Sequence, residues 1–201
     1  MAQNYNREME KIIAEIKKSG AKPKLLLHSC CAPCSSSVLE RLTPYFDVTV
    51  YYYNPNLDSA EEFELRAAEQ CRLCAQTGVE VVVEPYDAQE FLSAVIGHED
   101  DAEGGARCAI CFALRLNKTA NVAKEKGFDY WTTTLTVSPL KNAERLNEIG
   151  SAIAQKVGCK WLLSDFKKKG GYLRSTELSR QYELYRQNYC GCVFSKRGRP
   201  V

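Results

Sequence analysis

Short apolar runs alternate with longer stretches of helical character along this chain, and that alternation leaves few folds open to it. The runs fall at Leu25–His28, Val48–Tyr53, Val79–Val83, Tyr130–Thr133 and Trp161–Leu163. Continuous apolar runs of this length read as strands covered on both faces, and parallel strands need a helical crossover between them. The pattern predicts a single-domain α/β fold, Rossmann-like in the broad sense, with three layers and a mostly parallel sheet. Helices are expected over Met1–Lys18, Pro33–Leu42, Ser59–Gln76, Asp87–Ile96, Cys108–Lys126, Leu140–Val157 and Thr176–Arg186. The first would turn Met9, Ile12, Ile13 and Ile16 to one side. Ser59 suits an N-cap, with Glu61 and Glu62 in the first turn, and Gly78 and Gly127 suit helix ends. A chain of 201 residues can bury a core without disulfide help.

Cysteine usage carries the chemistry. Of 10 cysteines, seven fall in tight groups: Cys30-Cys31-Ala-Pro-Cys34, Cys108-Ala-Ile-Cys111 and Cys190-Gly-Cys192. Thiolates gathered where strands or helices end are ligands for a soft metal or an iron–sulfur cluster. Pro33 suits the start of a helix, which places Cys31 and Cys34 near its positive end, where thiolates are favoured. Nucleotide-binding folds keep a glycine-rich loop at this position, and its absence argues against ATP or dinucleotide use. One tetrahedral zinc or one cubane cluster takes four protein ligands, so seven thiols leave enough for part of a second metal or for catalysis. With only 2 histidines, imidazole-rich sites are excluded. Cys71 and Cys74 sit within a continuous helix and read as small apolar residues, Cys159 reads as core, and His28 as a structural, hydrogen-bonded histidine.

The formal net charge of +2 hides an asymmetry: residues 1–100 hold 9 basic and 16 acidic side chains, the remainder 18 and 9. Lys167–Lys169, Arg174, Arg180, Arg186, Lys196, Arg197 and Arg199 interleave with Tyr172, Tyr182, Tyr185 and Tyr189. Such a face suits a polyanion such as RNA, and it equally suits a solvated helix with a basic tail. The N-terminal segment is charged throughout and no run approaches a membrane span, so a cytoplasmic protein with no membrane contact is expected. Ligands of open α/β sheets bind beyond the carboxyl ends of the strands. The polar residues expected on that rim are Tyr53, Asn54, Arg66, Thr133, Ser138, Lys141, Asp165, Lys168, Tyr172 and Arg186.

The strings LLLHSCCAPC, YYYNPNLDSAEEFELR, GARCAICFALRLNKTA, GFDYWTTTLTVSPLKN, SDFKKKGGYLRSTELS and YRQNYCGCVFS resemble, in order, the QueH-type epoxyqueuosine reductases. The resemblance covers about residues 20–195 as an α/β metal-binding reductase domain and leaves the N-terminal helix (1–20) outside. It implies a HUP-like fold and an oxidoreductase of the last step of queuosine biosynthesis, working without cobalamin. The epoxide of epoxyqueuosine in tRNA would be reduced to the alkene, at the wobble base of the GUN anticodons of the Asp, Asn, His and Tyr acceptors. The implied cofactors are a 4Fe–4S cluster and a second mononuclear iron or other divalent metal, acting as a Lewis acid toward the epoxide oxygen. The implied ligand pool is Cys30, Cys31, Cys108, Cys111, Cys190 and Cys192, with Cys34 metal-proximal. An external electron-donor protein is expected, since no ferredoxin-like or flavin motif is present. Protonation would come from water or from a rim residue such as Tyr53 or Tyr172. The stretch Lys167–Arg186 with Lys196–Arg199 would grip anticodon-arm phosphates. A zinc-dependent, non-catalytic RNA-binding module is the main rival. A dithiol–disulfide oxidoreductase, with a disulfide possible at Cys31/Cys34 or Cys108/Cys111, and a tRNA thiolation enzyme are others.

Overall fold

Alternate residues of the apolar runs turn to opposite faces of one sheet, as the pleat requires. The computed structural model describes residues 3–196. Its strands are β1 (Lys24–Ser29), β2 (Asp47–Tyr52), β3 (Glu80–Val83), β4 (Tyr130–Thr133) and β5 (Lys160–Trp161). They pair in parallel throughout, in the order β3-β2-β1-β4-β5. On one face Leu25 and Leu27 meet Met9, Ile13 and Ile16 of α1 (Tyr5–Ser19), Leu39 and Leu42 of α2 (Ala32–Leu42), and Leu73 of α3 (Ala60–Thr77). On the other, Leu26 and Trp131 meet Leu116 of α5 (Ala106–Glu125) and Leu146 of α6 (Ala143–Val157). Three layers result. α4 (Ala88–Ala94) and α5 carry the chain from β3 across to β4, and α7 (Gly171–Gln181) and α8 (Val193–Lys196) complete it.

Local chemistry sets the element ends. The Ser59 hydroxyl accepts from the Glu62 N–H at 3.2 Å, which caps α3, and Gly78 closes that helix in the left-handed region. α6 starts at Ala143 rather than Leu140. A 3-10 turn, Thr134–Val137, leads into Pro139, and the Asn142 side chain then caps the helix through Arg145 N–H at 3.1 Å. The last long helix lies about one turn earlier than its sequence pattern implies: α7 spans Gly171–Gln181 instead of Thr176–Arg186. It stops because Leu184 turns back into the core, its N–H donating to Ser179 O at 2.8 Å, with Glu183 at φ +52° between them.

The chain leaves β1 toward β2 and β3, then returns to build β4 and β5 on β1's other side. This reversal opens a crevice between the carboxyl ends of β1 and β4, the place where doubly wound sheets bind ligands. The Cys30 N–H spans it, donating to Thr134 Oγ1 at 3.2 Å. Beneath, the hydroxyls of Ser29 and Ser35 both donate to Gln70 Oε1, at 2.6 and 2.9 Å, and tie the start of α2 to α3.

Candidate metal centre

β1 delivers Cys30 to the crevice, and the chain then turns into α2 with Cys31 as its N-cap and Pro33 in the first turn. Cys34 follows in that same turn. The three sulfurs lie within 4.8 Å of one another, with Cys30 and Cys31 3.8 Å apart. Among the described residues this is the group of metal-ligating side chains that the fold brings into one place. Hydrogen bonds from Cys31 and Cys34 hold the Cys30 thiol well below its ordinary pKa, and Lys141 and Arg115 act in the same sense against burial. The partner thiols move the other way: bonding to Cys30 raises both Cys31 and Cys34. The triangle thus holds one readily formed thiolate shared by three sulfurs, at the positive end of a helix.

A cavity of about 500 Å³ opens onto the triangle. Of the rim residues expected from the sequence, Arg66, Ser138, Lys141, Tyr172 and Arg186 line it. The other five do not. The Tyr53 hydroxyl donates to the Glu90 carboxylate, and its backbone oxygen accepts from His28 Nε2 at 3.1 Å. Asn54 is a buried strut that donates to Ser29 O at 2.9 Å. Thr133 is taken up by His28 Nδ1 at 2.8 Å, and Asp165 pairs with Lys167 at 3.1 Å. Lys168 lines a separate cavity of about 290 Å³ beside Glu10, Arg41 and Arg174. Position after a strand puts each near the rim, but the side chains of Tyr53, Asn54, Thr133 and Asp165 are taken up by nearer partners. His28 itself is fully buried, and burial, with Arg115 beside it, pushes its pKa down to about 3, so it is a neutral structural residue.

The remaining thiols are not part of the triangle. Cys190 lines the same cavity. Its pKa is lowered by a hydrogen bond from Cys192 and by Lys141 and Arg115, against burial, while that same bond raises Cys192. Gly191 between them has φ +108° and its carbonyl accepts from Asp58 N–H at 2.9 Å, which fastens this segment to the loop before α3. Cys111 and Cys192 pack with Phe91, Val95 and Phe194 in a small apolar cluster behind the cavity. Burial raises the pKa of Cys111, with Cys190 and Cys108 adding to it and Arg115 opposing. The Cys108 sulfur accepts from Gly104 N–H at 3.2 Å. Cys71 is exposed and Cys74 buried on α3, Cys159 is core, and all ten cysteines are free.

Arg115 is the residue that sequence reasoning missed. It is 2% exposed, lines the cavity, and donates from Nη2 to Asn54 Oδ1 at 2.5 Å. Its charge reaches one cysteine of each group: Cys30, Cys111 and Cys190. A signal was present, because Cys108, Cys111 and Arg115 are spaced to share one helix face. Lys141 is another cation of the cavity wall, beside Arg66, Arg115 and Arg186. Burial opposes its charge, yet the sulfurs of Cys190, Cys30 and Cys34 outweigh burial and its pKa is raised.

The basic stretch is less free than its composition implies. Arg174 pairs with Glu40 and Glu177, Lys169 with Glu10, and Lys196 with Asp58. Arg197 and Arg199 lie outside the described residues. No helix among the described residues is long and apolar enough to cross a membrane.

The fold and the thiol triangle define a class: an α/β protein with a cysteine-built site for a soft metal or an iron–sulfur cofactor, set at the switch point of a parallel sheet. Residues 25–198 match the family model described as epoxyqueuosine reductase QueH. The chain is 42% identical over 200 residues to the epoxyqueuosine reductase QueH of Streptococcus pyogenes, covering 96% of this chain and 78% of that protein. It is 42% identical to the Staphylococcus epidermidis protein of the same name, covering 96% and 84%. Against that of Thermotoga maritima it is 35% identical over 174 residues, covering 85% and 89%. Among solved structures it is similar to the U34-tRNA thiolase NcsA from Methanococcus maripaludis with its 4Fe–4S cluster. That likeness, at TM-score 0.56 and 11% identity over 94% of this chain and 68% of that one, is one of fold. The chain belongs to the epoxyqueuosine reductase QueH family and is an oxidoreductase.

Proposed function

We propose that this protein reduces epoxyqueuosine to queuosine in tRNA, the last step of queuosine synthesis. The observation that carries the reading is the triangle of Cys30, Cys31 and Cys34, whose sulfurs lie within 4.8 Å of one another and line a cavity that Cys190 also lines. Overall, the epoxide takes up two electrons and two protons, both carbon–oxygen bonds break, an alkene forms and the oxygen leaves as water.

The donor set fits a soft metal or an iron–sulfur group: thiols are the ligands such groups select, and one of the three is already held toward its thiolate. The ligands would come from Cys30, Cys31, Cys34, Cys108, Cys111, Cys190 and Cys192, for a 4Fe–4S cluster and an adjacent iron. When bound, these groups supply the reducing electrons and Lewis acidity. An external protein supplies the electrons in turn, since no sequence motif for a second redox cofactor is present.

The chain's own residues do the rest. Arg115 and Lys141 bring positive charge to a site built of thiols, where uncompensated negative charge would be costly. Lys141 keeps its proton on Nζ at the cavity wall, where it can hydrogen bond the departing oxygen and donate to it. Tyr172 is another cavity group able to donate a proton, whereas Tyr53 is committed to Glu90. Cations outside the cavity hold the anticodon arm of a tRNA with a GUN anticodon (Asp, Asn, His or Tyr acceptors).

The test is anaerobic reconstitution with iron and sulfide, followed by epoxyqueuosine-containing tRNA, a chemical reductant and mass analysis of the nucleosides. Loss of one oxygen from the modified nucleoside is the expected result. An unchanged epoxide with fully loaded protein would sink the proposal. A colourless protein carrying stoichiometric zinc would favour the non-catalytic RNA-binding module instead.

A further inference from the structure

We propose that the ring of Tyr172 and the guanidinium of Arg186 form a stacking platform that captures a single nucleobase, swung out of its RNA strand, at the mouth of the thiol cavity. The inference rests on the tRNA reading above and adds how the base is held.

Both groups line the cavity, and the guanidinium lies over one face of the ring, its carbon 5.5 Å from the centroid, so a base stacking on the half-exposed ring would take its other face. Tyr172 is 43% exposed although it begins α7, a helix packed on the body of the protein. Leu140, on another segment of the cavity wall, is 73% exposed. Both side chains present apolar surface to one cavity, and a flat, apolar-faced ligand entering it would cover that surface. Every nucleobase has such a face, and aromatic rings and arginine planes are the surfaces on which splayed-out RNA bases stack.

Size and chemistry agree. A cavity of about 500 Å³ lies within the range of roughly 300–1000 Å³ for pockets that take one small ligand, and it cannot admit a duplex. Enzymes that act on a base within a strand take that base out of its stack. In the same wall, Gln187 Oε1 is buried with no hydrogen-bond partner. A rotation of that amide would let it accept from an N–H on the base edge. A base stacked there lies in the cavity that Cys30, Cys34 and Lys141 also line.

The test is a cycle of two changes, read as binding of the full-length protein to a synthetic anticodon-arm RNA at fixed salt. One change is Tyr172→Ala; the other replaces the reacting nucleotide with an abasic one. Stacking on one aromatic ring is expected to make Tyr172→Ala cost roughly 5- to 150-fold in affinity for the intact arm, with Tyr172→Phe retaining it. The abasic arm should lose a similar factor with the wild-type protein and little more with Tyr172→Ala, because the two changes remove one contact. The slope of log affinity against log salt should stay the same, since no phosphate contact is touched. If the two losses simply multiply, or Tyr172→Ala binds as tightly as wild type, the platform is wrong while the tRNA reading stands. If the wild-type protein fails to bind the arm even at low salt, both fall.

Discussion

Gly191→Ala should displace the segment that carries Cys190 and Cys192. Two costs act at this position. The first is backbone: φ of +108° lies where L-residues other than glycine are strained, at about 1–3 kcal/mol. The second is steric. A methyl group built on Gly191 would stand 2.4 Å from Leu57 Cδ2 and 2.9 Å from Arg66 Nη1. Arg66 can swing its guanidinium, but Leu57 is 3% exposed and packed against Tyr52, Phe63 and Ala67. Overpacking of this kind costs about 1–3 kcal/mol. Together the costs reach about 2–6 kcal/mol, more than the hydrogen bond from Asp58 N–H to Gly191 O returns at about 1 kcal/mol. The segment should therefore lift locally rather than the whole protein unfold. The assay is alkylation of the metal-free protein with iodoacetamide, mapped by mass, alongside urea denaturation. Cys190 and Cys192 should label at least tenfold faster in the variant, with Cys74 and Cys159 unchanged and the urea midpoint lowered. Identical labelling rates and midpoints would refute the account of why glycine stands there.

Three further outcomes follow from the geometry. His28 has a folded pKa near 3 against an ordinary value of 6.5, so below pH 6.5 the unfolded chain binds a proton that the folded one refuses. Stability then falls as pH falls, by about 1.4 kcal/mol per unit down to the folded pKa; His28→Gln should flatten that limb in urea midpoints taken from pH 7 to 5, and an unaltered slope would count against it. Arg115→Met removes the buried cation beside Cys30, Cys111 and Cys190, and thiol-reactivity profiles of the metal-free protein should move to higher pH, with rates at pH 7 lower by about tenfold for each unit of displacement; an unmoved profile would mean the guanidinium acts only through Asn54. Gly150→Ala places a methyl 2.5 Å from the Trp161 ring and should cost about 1–3 kcal/mol in thermal or urea denaturation, a loss that a neutral result would rule out.

The layering was legible because it rests on periodicity. Leu25–Leu27 could only be buried on both faces, and Ser59 and Gly78 mark their helix ends by chemistry that is local in sequence. The displacement of α7 was not legible, because its end is set by Leu184 docking against residues far away in the chain. The same division holds at the site. Cys30, Cys31 and Cys34 are neighbours in sequence, so their convergence follows from one turn and one helix start. The placements of Tyr53, Asn54, Thr133 and Asp165 depend instead on which partner lies nearest, Glu90, Arg115, His28 and Lys167 in turn, and strand-end position alone does not contain that information.

Where a nucleotide-binding relative of this architecture would set a glycine-rich loop, this chain sets Cys-Cys-Ala-Pro-Cys. The exchange is consistent with the electrostatics of the place. The start of α2 favours negative charge whether a ligand brings it or the protein does. A glycine loop leaves the backbone bare for an incoming phosphate; here the anion is built in, as sulfur, and the first turn closes around it. The Cys30 N–H is already committed to Thr134 Oγ1 and the Ser35 N–H to Cys31 O, so neither is free to bind a phosphate. The built-in anion then needs cations of its own. Arg115 is anchored on Asn54 and Lys141 follows the 3-10 turn after β4, so the charges that balance the thiols come from both sides of the switch point. A variant with glycines in place of Cys31 and Cys34 would remove the two thiols whose hydrogen bonds hold the Cys30 pKa down, and so leave Arg115 and Lys141 with less negative charge beside them. It should lose stability even with no metal present, which a denaturation curve of the metal-free protein would read directly; a gain in stability would show that the thiols, and not the cations, are the strained partners.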